Sequence, residues 1–194
     1  MIFQRNFVYV SGTMLGGTQV GIMMGDEKYS PPSANIKVIN NIVFGTNRNF
    51  YWWQGNQGGG MKNVTIAHNT LVNSKFEAGL VILSGTHRNV AIKNNLILQE
   101  DNLPVIIVLQ NSNLIFSNNL WSKHPKTAAS GLSDVIGDPK LSKSGSPFTP
   151  EWFILNNTSK AIDNGIYLND ITIDFFGNSR IELSDIGAYE HITP

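Results

Sequence analysis

One seven-residue pattern recurs along the chain: Asn35-Ile36-Lys37-Val38-Ile39-Asn40-Asn41, Asn63-Val64-Thr65-Ile66-Ala67-His68-Asn69, Asn89-Val90-Ala91-Ile92-Lys93-Asn94-Asn95 and Asn113-Leu114-Ile115-Phe116-Ser117-Asn118-Asn119. A fainter copy runs from Asn6 to Gly12, so the starts at 6, 35, 63, 89 and 113 give steps of 29, 28, 26 and 24 residues. A period of this size marks a stacked solenoid, because one such unit cannot bury its apolar face without neighbours. Within each copy the second and fourth places are apolar, which is the two-residue period of a strand with one buried face. A second short run follows each Asn pair, as in Ile42-Val43-Phe44 and Leu96-Ile97-Leu98. A third run comes later as Val20 to Met23, Phe50 to Trp53, Leu80 to Leu83 and Ile106 to Leu109, closing at Gly25, Gly55, Gly85 and Asn111.

Three strands per repeat and no helix describe an all-β, right-handed parallel β-helix of about five coils. Leucine-rich repeats, the rival solenoid, require a Leu-x-x-Leu-x-Leu pattern that is missing here. The column Asn41, Asn69, Asn95, Asn119 is expected to form an amide ladder at a tight bend, with Gly12 in its place in the first repeat. The shrinking steps place the elastic turn between the third run and the next repeat. Composition agrees: 23 Asn and 18 Gly in 194 residues, with only 14% charged, leave little for Glu- and Lys-rich helix surfaces.

These repeats resemble the pectate-lyase-like superfamily of parallel β-helices, in which an Asn ladder marks the turn between the second and third sheets. The resemblance covers residues 6 to about 123 and makes the Asn-opened strand the second sheet, the run after the Asn pair the third, and the Phe50-type run the first. Residues 1–124 are accordingly read as coils and 125–194 as an irregular C-terminal extension that caps or covers them. That extension holds Asp138-Pro139, Asp163-Asn164-Gly165, Asp174-Phe175-Phe176-Gly177-Asn178-Ser179-Arg180 and Asp185-Ile186-Gly187-Ala188-Tyr189-Glu190, an order similar to the ending of secreted bacterial β-helix proteins. Its carboxylates suit turn capping, with Arg180 as an internal ion-pair partner, better than a catalytic pair.

Superfamily members usually close the N-terminal end with an amphipathic helix, which does not appear before Asn6. The chain therefore reads as the C-terminal portion of a longer protein, or as a solenoid that closes an open N-terminal end by self-association. Met1 to Asn6 lacks the segments of an export signal, so the expected extracellular or cell-surface location rests on the resemblance.

The resemblance also implies a carbohydrate-directed protein, like polysaccharide lyases or glycosidases acting on acidic, plant or algal polysaccharides. The alternative is a non-catalytic structural, adhesion or glycan-binding module. Lysines plus arginines equal aspartates plus glutamates at 14 each, which points away from nucleic acid, and no apolar run is long enough for a membrane span. Abstraction of a proton beside a uronate carboxylate needs a base and a stabilising positive charge. The candidates are His87, Arg88, Lys93 and His68, with Tyr51, Trp53 and Arg48 as substrate contacts. The runs 20–24, 50–54, 80–84 and 106–110 contain no charged residue, which weighs against a complete lyase site on them. No cofactor is required and no metal set is assigned, although Asp26-Glu27-Lys28 could hold calcium through its carboxylates. The outer face of the same runs is apolar and calls for a cover, expected from Trp152-Phe153-Ile154-Leu155.

Overall fold

A computed structural model describes residues 1–12, 19–28, 30–55, 58–109, 113–125 and 127–192. The expected ends of the fourth run, Gln110 and Asn111, lie outside the described residues. The architecture is a parallel β-solenoid with three sheets. Sheet A stacks β1 (Ile2–Gln4), β4 (Ser33–Ile39), β7 (Met61–Ala67), β10 (Arg88–Lys93) and β13 (Leu114–Ser117). Sheet B stacks β2 (Phe7–Tyr9), β5 (Ile42–Phe44), β8 (Thr70–Val72), β11 (Leu96–Leu98), β14 (Leu120–Trp121) and β15 (Val135–Ile136), and sheet C stacks β3 (Val20–Asp26), β6 (Arg48–Gln54), β9 (Leu80–Ile82) and β12 (Ile106–Val108). No helix among the described residues is long and apolar enough to cross a membrane.

The solenoid body is about three turns, opening at β4, β7 and β10, rather than five. Beyond it, no strand of sheet C follows β13 and β14 among the described residues, and β1 and β2 are short strands at the sheet edges. The inward residues of all three sheets form one core that includes Val38, Phe50, Trp52, Ile66, Leu71, Leu80, Ile82, Ile92 and Trp121. Asp134 and the short 3-10 turn Thr127–Ala129 close the far end, where Ala129 joins the core. At the near end a cavity of about 220 Å3 opens among Met1, Phe3, Ile22, Met24, Ile36 and Val38.

Each Asn pair divides two tasks. The first member adopts positive φ, at Asn40 (52°), Asn94 (54°) and Asn118 (53°), with His68 (53°) in the same column. The second member builds the ladder: Asn41 donates its side-chain amide to Asn69 Oδ1 (2.9 Å), Asn69 to Asn95 (2.9 Å) and Asn95 to Asn119 (3.0 Å). Each of these Oδ1 atoms also accepts the backbone N–H of the ladder residue in the preceding coil, so the bend leaves few polar groups unsatisfied. The left-handed bend thus belongs to the residue before the ladder, not to the ladder itself.

Two expectations about register change. β1 pairs with β4 and Phe7 pairs with Ile42, so Asn6 stands in the ladder, donating to Asn41 Oδ1 (2.9 Å), and Gly12 does not. Asn6-Phe7-Val8 fits both Asn35-Ile36-Lys37 and Asn41-Ile42-Val43, and the strand pairing selects the second, one strand later than the repeat pattern suggests. The turn from sheet C to sheet A is also less elastic than expected. The spacing between sheets B and C varies more, with β5 ending at Phe44 and β6 starting at Arg48, but β8 ending at Val72 and β9 starting at Leu80. Strand lengths shrink as well: β6 runs from Arg48 to Gln54, β9 only from Leu80 to Ile82.

The C-terminal region covers sheet B, not sheet C. Leu141, Phe153, Leu155, Ala161, Ile186 and Ala188 form a second core with Ile42, Val72, Leu96, Leu98 and Leu120, the outward residues of sheet B and its turns. Phe153 meets Phe44 and Phe7 at ring-centroid distances of 5.6 and 5.7 Å, and Trp152 meets Phe44 at 5.8 Å. Leu168 and Ile171 reach past the bend to Ile39 and Ala67 of sheet A, where Lys37 pairs with Asp170. The cover expected over Phe50 to Trp53 therefore lies on the neighbouring sheet, where Phe44 and the branched residues of β5, β8 and β11 present the complementary apolar face.

Candidate functional site

Sheet C keeps an apolar outer face that none of these C-terminal contacts reaches. Alternation along β6 turns Phe50 and Trp52 inward, both fully buried, and leaves Tyr51 and Trp53 half-buried on the outside. The register sets Tyr51 between Met23 and Val81, and Trp53 beside Gly25. A Cβ on Gly25 would stand 3.3 Å from the Trp53 ring and 2.8 Å from its carbonyl oxygen, so the glycine makes room for the indole. Met23 is 57% exposed and Leu109 62%, which extends the apolar strip along the stack.

β3 and β6 are longer than the apolar runs they contain, and they bring in charge that the runs lack. Arg48 opens β6 and Asp26 ends β3. Arg48 pairs through Nε with Glu77, and its guanidinium carbon lies 4.8 Å from the centre of the Tyr51 ring and 5.4 Å from that of Phe76. The Glu77 hydrogen bond is the largest influence on Arg48 and raises its pKa further. The guanidinium thus lies over one face of the Tyr51 ring and adds cation–π attraction. Asp26 is buried; its Oδ1 accepts from the Ser33 hydroxyl (2.7 Å) and its Oδ2 from the Gly60 N–H. Its carboxylate therefore ties two turns together, and no group of three or more His, Cys, Asp or Glu suited to a metal occurs among the described residues.

The four candidates for acid–base chemistry do not converge. His87 is buried in the turn from sheet C to sheet A. Its Nδ1 accepts the Met61 N–H (3.3 Å), leaving Nε2 to donate to the Leu83 carbonyl (3.2 Å), and burial lowers its pKa. His68 is fully buried at the bend between sheets A and B. Asn94 Nδ2 donates to its Nε2 (2.9 Å), and its Nδ1 donates to the Asp185 carbonyl (3.2 Å). Burial first, then the Arg180 charge, hold its pKa well below the ordinary value, so the ring is neutral. Lys93 is half-buried at the far end of β10, whereas Arg88 is exposed at its start.

Arg88 has a partner that motif reading passed over. The register places Lys62 directly beside it on β7, and both are exposed. Next to them Asn89 donates its amide to Asn63 Oδ1 (3.0 Å), and Asn63 to Asn35 Oδ1 (3.2 Å), forming an outer ladder along the same turn. The signal was present in the sequence: Lys62 and Arg88 each precede a repeat-opening Asn, one position outside the pattern. Two adjacent cations beside a column of amides attract anionic groups such as carboxylates.

The carboxylates of the C-terminal region are used internally. Arg180 Nη1 donates to Glu190 Oε2 (2.8 Å), and Nη2 to Gly187 O (2.9 Å) and to Asn40 Oδ1 of the solenoid (2.8 Å). Asp174 accepts from the Asn178 N–H (2.8 Å) and the Glu190 N–H (2.9 Å), and Asp185 accepts from the Asp163 N–H (2.9 Å). Every one of these acids holds a backbone turn in place. In comparisons with known proteins, no family model matches the chain and no curated protein matches it.

Proposed function

We propose that this chain is a carbohydrate-directed β-helix protein, of the pectate-lyase-like kind, that works outside the cell or at its surface and lays an acidic polysaccharide along sheet C and the adjoining turn. The observation that carries the reading is the one-sided cover: the C-terminal region packs on sheet B and leaves Tyr51 and Trp53 on an open strip, with Lys62 and Arg88 on the next sheet. Half-buried aromatic rings suit the apolar faces of sugar rings, and neighbouring unpaired cations suit uronate carboxylates.

A binding or adhesion module without catalysis draws on a separate observation. His68 and His87 are buried with both ring nitrogens engaged, so neither is placed to take a proton from a solute on the open strip.

A glycan array with the wild-type chain and the variants Trp53→Ala, Lys62→Gln and Arg88→Gln tests the reading. Selective binding to uronate polymers, weakened about fivefold by loss of the Trp53 ring, is expected, since one stacked aromatic contributes about 1 kcal/mol. A blank array from folded protein would sink it. Incubation of a bound polymer, read by ultraviolet absorbance of an unsaturated uronate product and by reducing ends, then separates enzyme from module.

A further inference from the structure

Where the C-terminal region meets the solenoid, a cleft of about 460 Å3 lies between Val10, Phe44 and Gly45 on one side and Pro147 and Phe148 on the other, with Lys75 at its margin. Its volume is that of a small-molecule site. The aromatic walls come from two separate parts of the chain. Phe44 is the outward residue at the end of β5, and Phe148 precedes the short 3-10 turn Pro150–Phe153. Their ring centroids are 6.4 Å apart at 57°, and the Tyr9 ring lies 5.3 Å from that of Phe148, tilted by 36°. Phe148 remains 42% exposed, as does Tyr9 beside it, whereas Phe44 is half-buried. Gly45, at positive φ (69°), leaves that wall without a side chain.

Lys75 is the one titratable residue among the described residues of this lining. Its ammonium makes no hydrogen bond or ion pair, while the carboxylates whose charge it interacts with are already engaged. Glu100 is held by Lys143 and by the Asn73 amide (2.6 Å), and Asp101 by the Gln99 amide (2.6 Å) and the Leu103 N–H (2.9 Å). The cleft thus offers apolar walls that include two phenylalanine rings, and one unpaired cation. Among the described residues no side-chain hydroxyl or amide lines it, so a sugar would leave most of its hydroxyls unmatched there.

We propose that this cleft binds an aromatic monocarboxylate, its ring against the open sides of Phe44 and Phe148 and its carboxylate on Lys75. The inference stands apart from the polysaccharide strip on sheet C, and neither requires the other. A ligand here touches both the coils and the C-terminal region, so it would strengthen the docking of the two.

The test titrates the full chain with 2-naphthoate and with its neutral analogue 2-naphthylmethanol, by calorimetry and by ligand-observed NMR, in the wild type, Lys75→Met and Phe148→Ala. Naphthoate is expected to bind about fivefold more tightly than the alcohol, the size of one solvent-facing charge pair. Lys75→Met should erase that preference, and Phe148→Ala should weaken both ligands about tenfold. Both side chains lie outside the buried cores, and an unchanged melting curve confirms that each variant folds. Absence of saturable naphthoate binding, or binding indifferent to Lys75→Met, overturns the proposal. So does galacturonate binding in preference to naphthoate with the same dependence on Lys75.

Discussion

Asn69 in the coils and Arg180 in the C-terminal region are both buried polar residues with several hydrogen bonds, but they hold the molecule in different ways. Asn69 has equivalents before and after it in Asn41 and Asn95, each bonded to the next coil through the same atoms. Arg180 stands once, and it joins Glu190, Gly187 and the solenoid residue Asn40 in a single node. A repeat spreads stability over many nearest-neighbour contacts, whereas a non-repeating cover concentrates it in a few side chains. The bend column shows the two regimes meeting. Asn40, His68, Asn94 and Asn118 turn the coil by positive φ, and the C-terminal region docks by bonding to those same side chains.

The largest effect is expected at the node. Arg180→Met leaves Glu190 buried without its cation and should remove about 3–5 kcal/mol of stability, read by urea denaturation. A separate early transition for the C-terminal region would sharpen the contrast between concentrated and distributed contacts. A change below about 1 kcal/mol would break it.

Next comes the ladder. Asn95→Ala deprives the Asn69 N–H and side-chain amide of their acceptor, and the expected loss is about 2–3 kcal/mol in the same measurement. If the coils share load evenly, Asn69→Ala should cost the same within about 0.5 kcal/mol.

The third prediction concerns pH. The folded His68 ring stays neutral where the unfolded one takes a proton, near the ordinary value of 6.5. Its contribution is therefore complete above that value and is lost as pH falls below it towards the depressed folded value. His87 acts in the same direction. Asp185 and Glu190, raised first by burial, act oppositely: the folded state holds protons that the unfolded state has released, so their effect favours the fold on acidification. His68→Asn restores the residue found at Asn40, Asn94 and Asn118, so melting temperatures between pH 5 and pH 8 should show a shallower loss on the acid side. An unchanged slope would remove His68 from the docking seam.

The smallest effect is expected on the outer ladder. Asn89→Gly keeps the positive φ of 53° and removes one exposed amide contact, so stability should move by less than about 0.5 kcal/mol. A loss as large as that of Asn95→Ala would erase the distinction between inner and outer columns.

Three strands per repeat, the two-residue alternation and the ladder column were legible because they are local patterns copied at nearly constant spacing. The first repeat was misread because Asn6-Phe7-Val8 matches two columns equally well, and only pairing with Ile42 separates them. Lys62 was passed over because it acquires meaning from its neighbour in the adjacent coil, Arg88. His87 and Arg88 are consecutive in sequence, yet one is buried and the other exposed, since the turn before β10 sends their side chains to opposite sides.

The sequence by itself determined the parallel β-solenoid, because alternation and the Asn pairs specify strands and bends before any long-range contact forms. Only the tertiary structure decided which sheet is covered and which is left open. That choice rests on the outward faces of three stacked strands at once: Phe44 with the aliphatic column of sheet B seats Phe153, Leu155 and Ile186, and Asn40 and Asn94 anchor the chain alongside. A surface assembled from residues of several coils exists only once those coils have stacked.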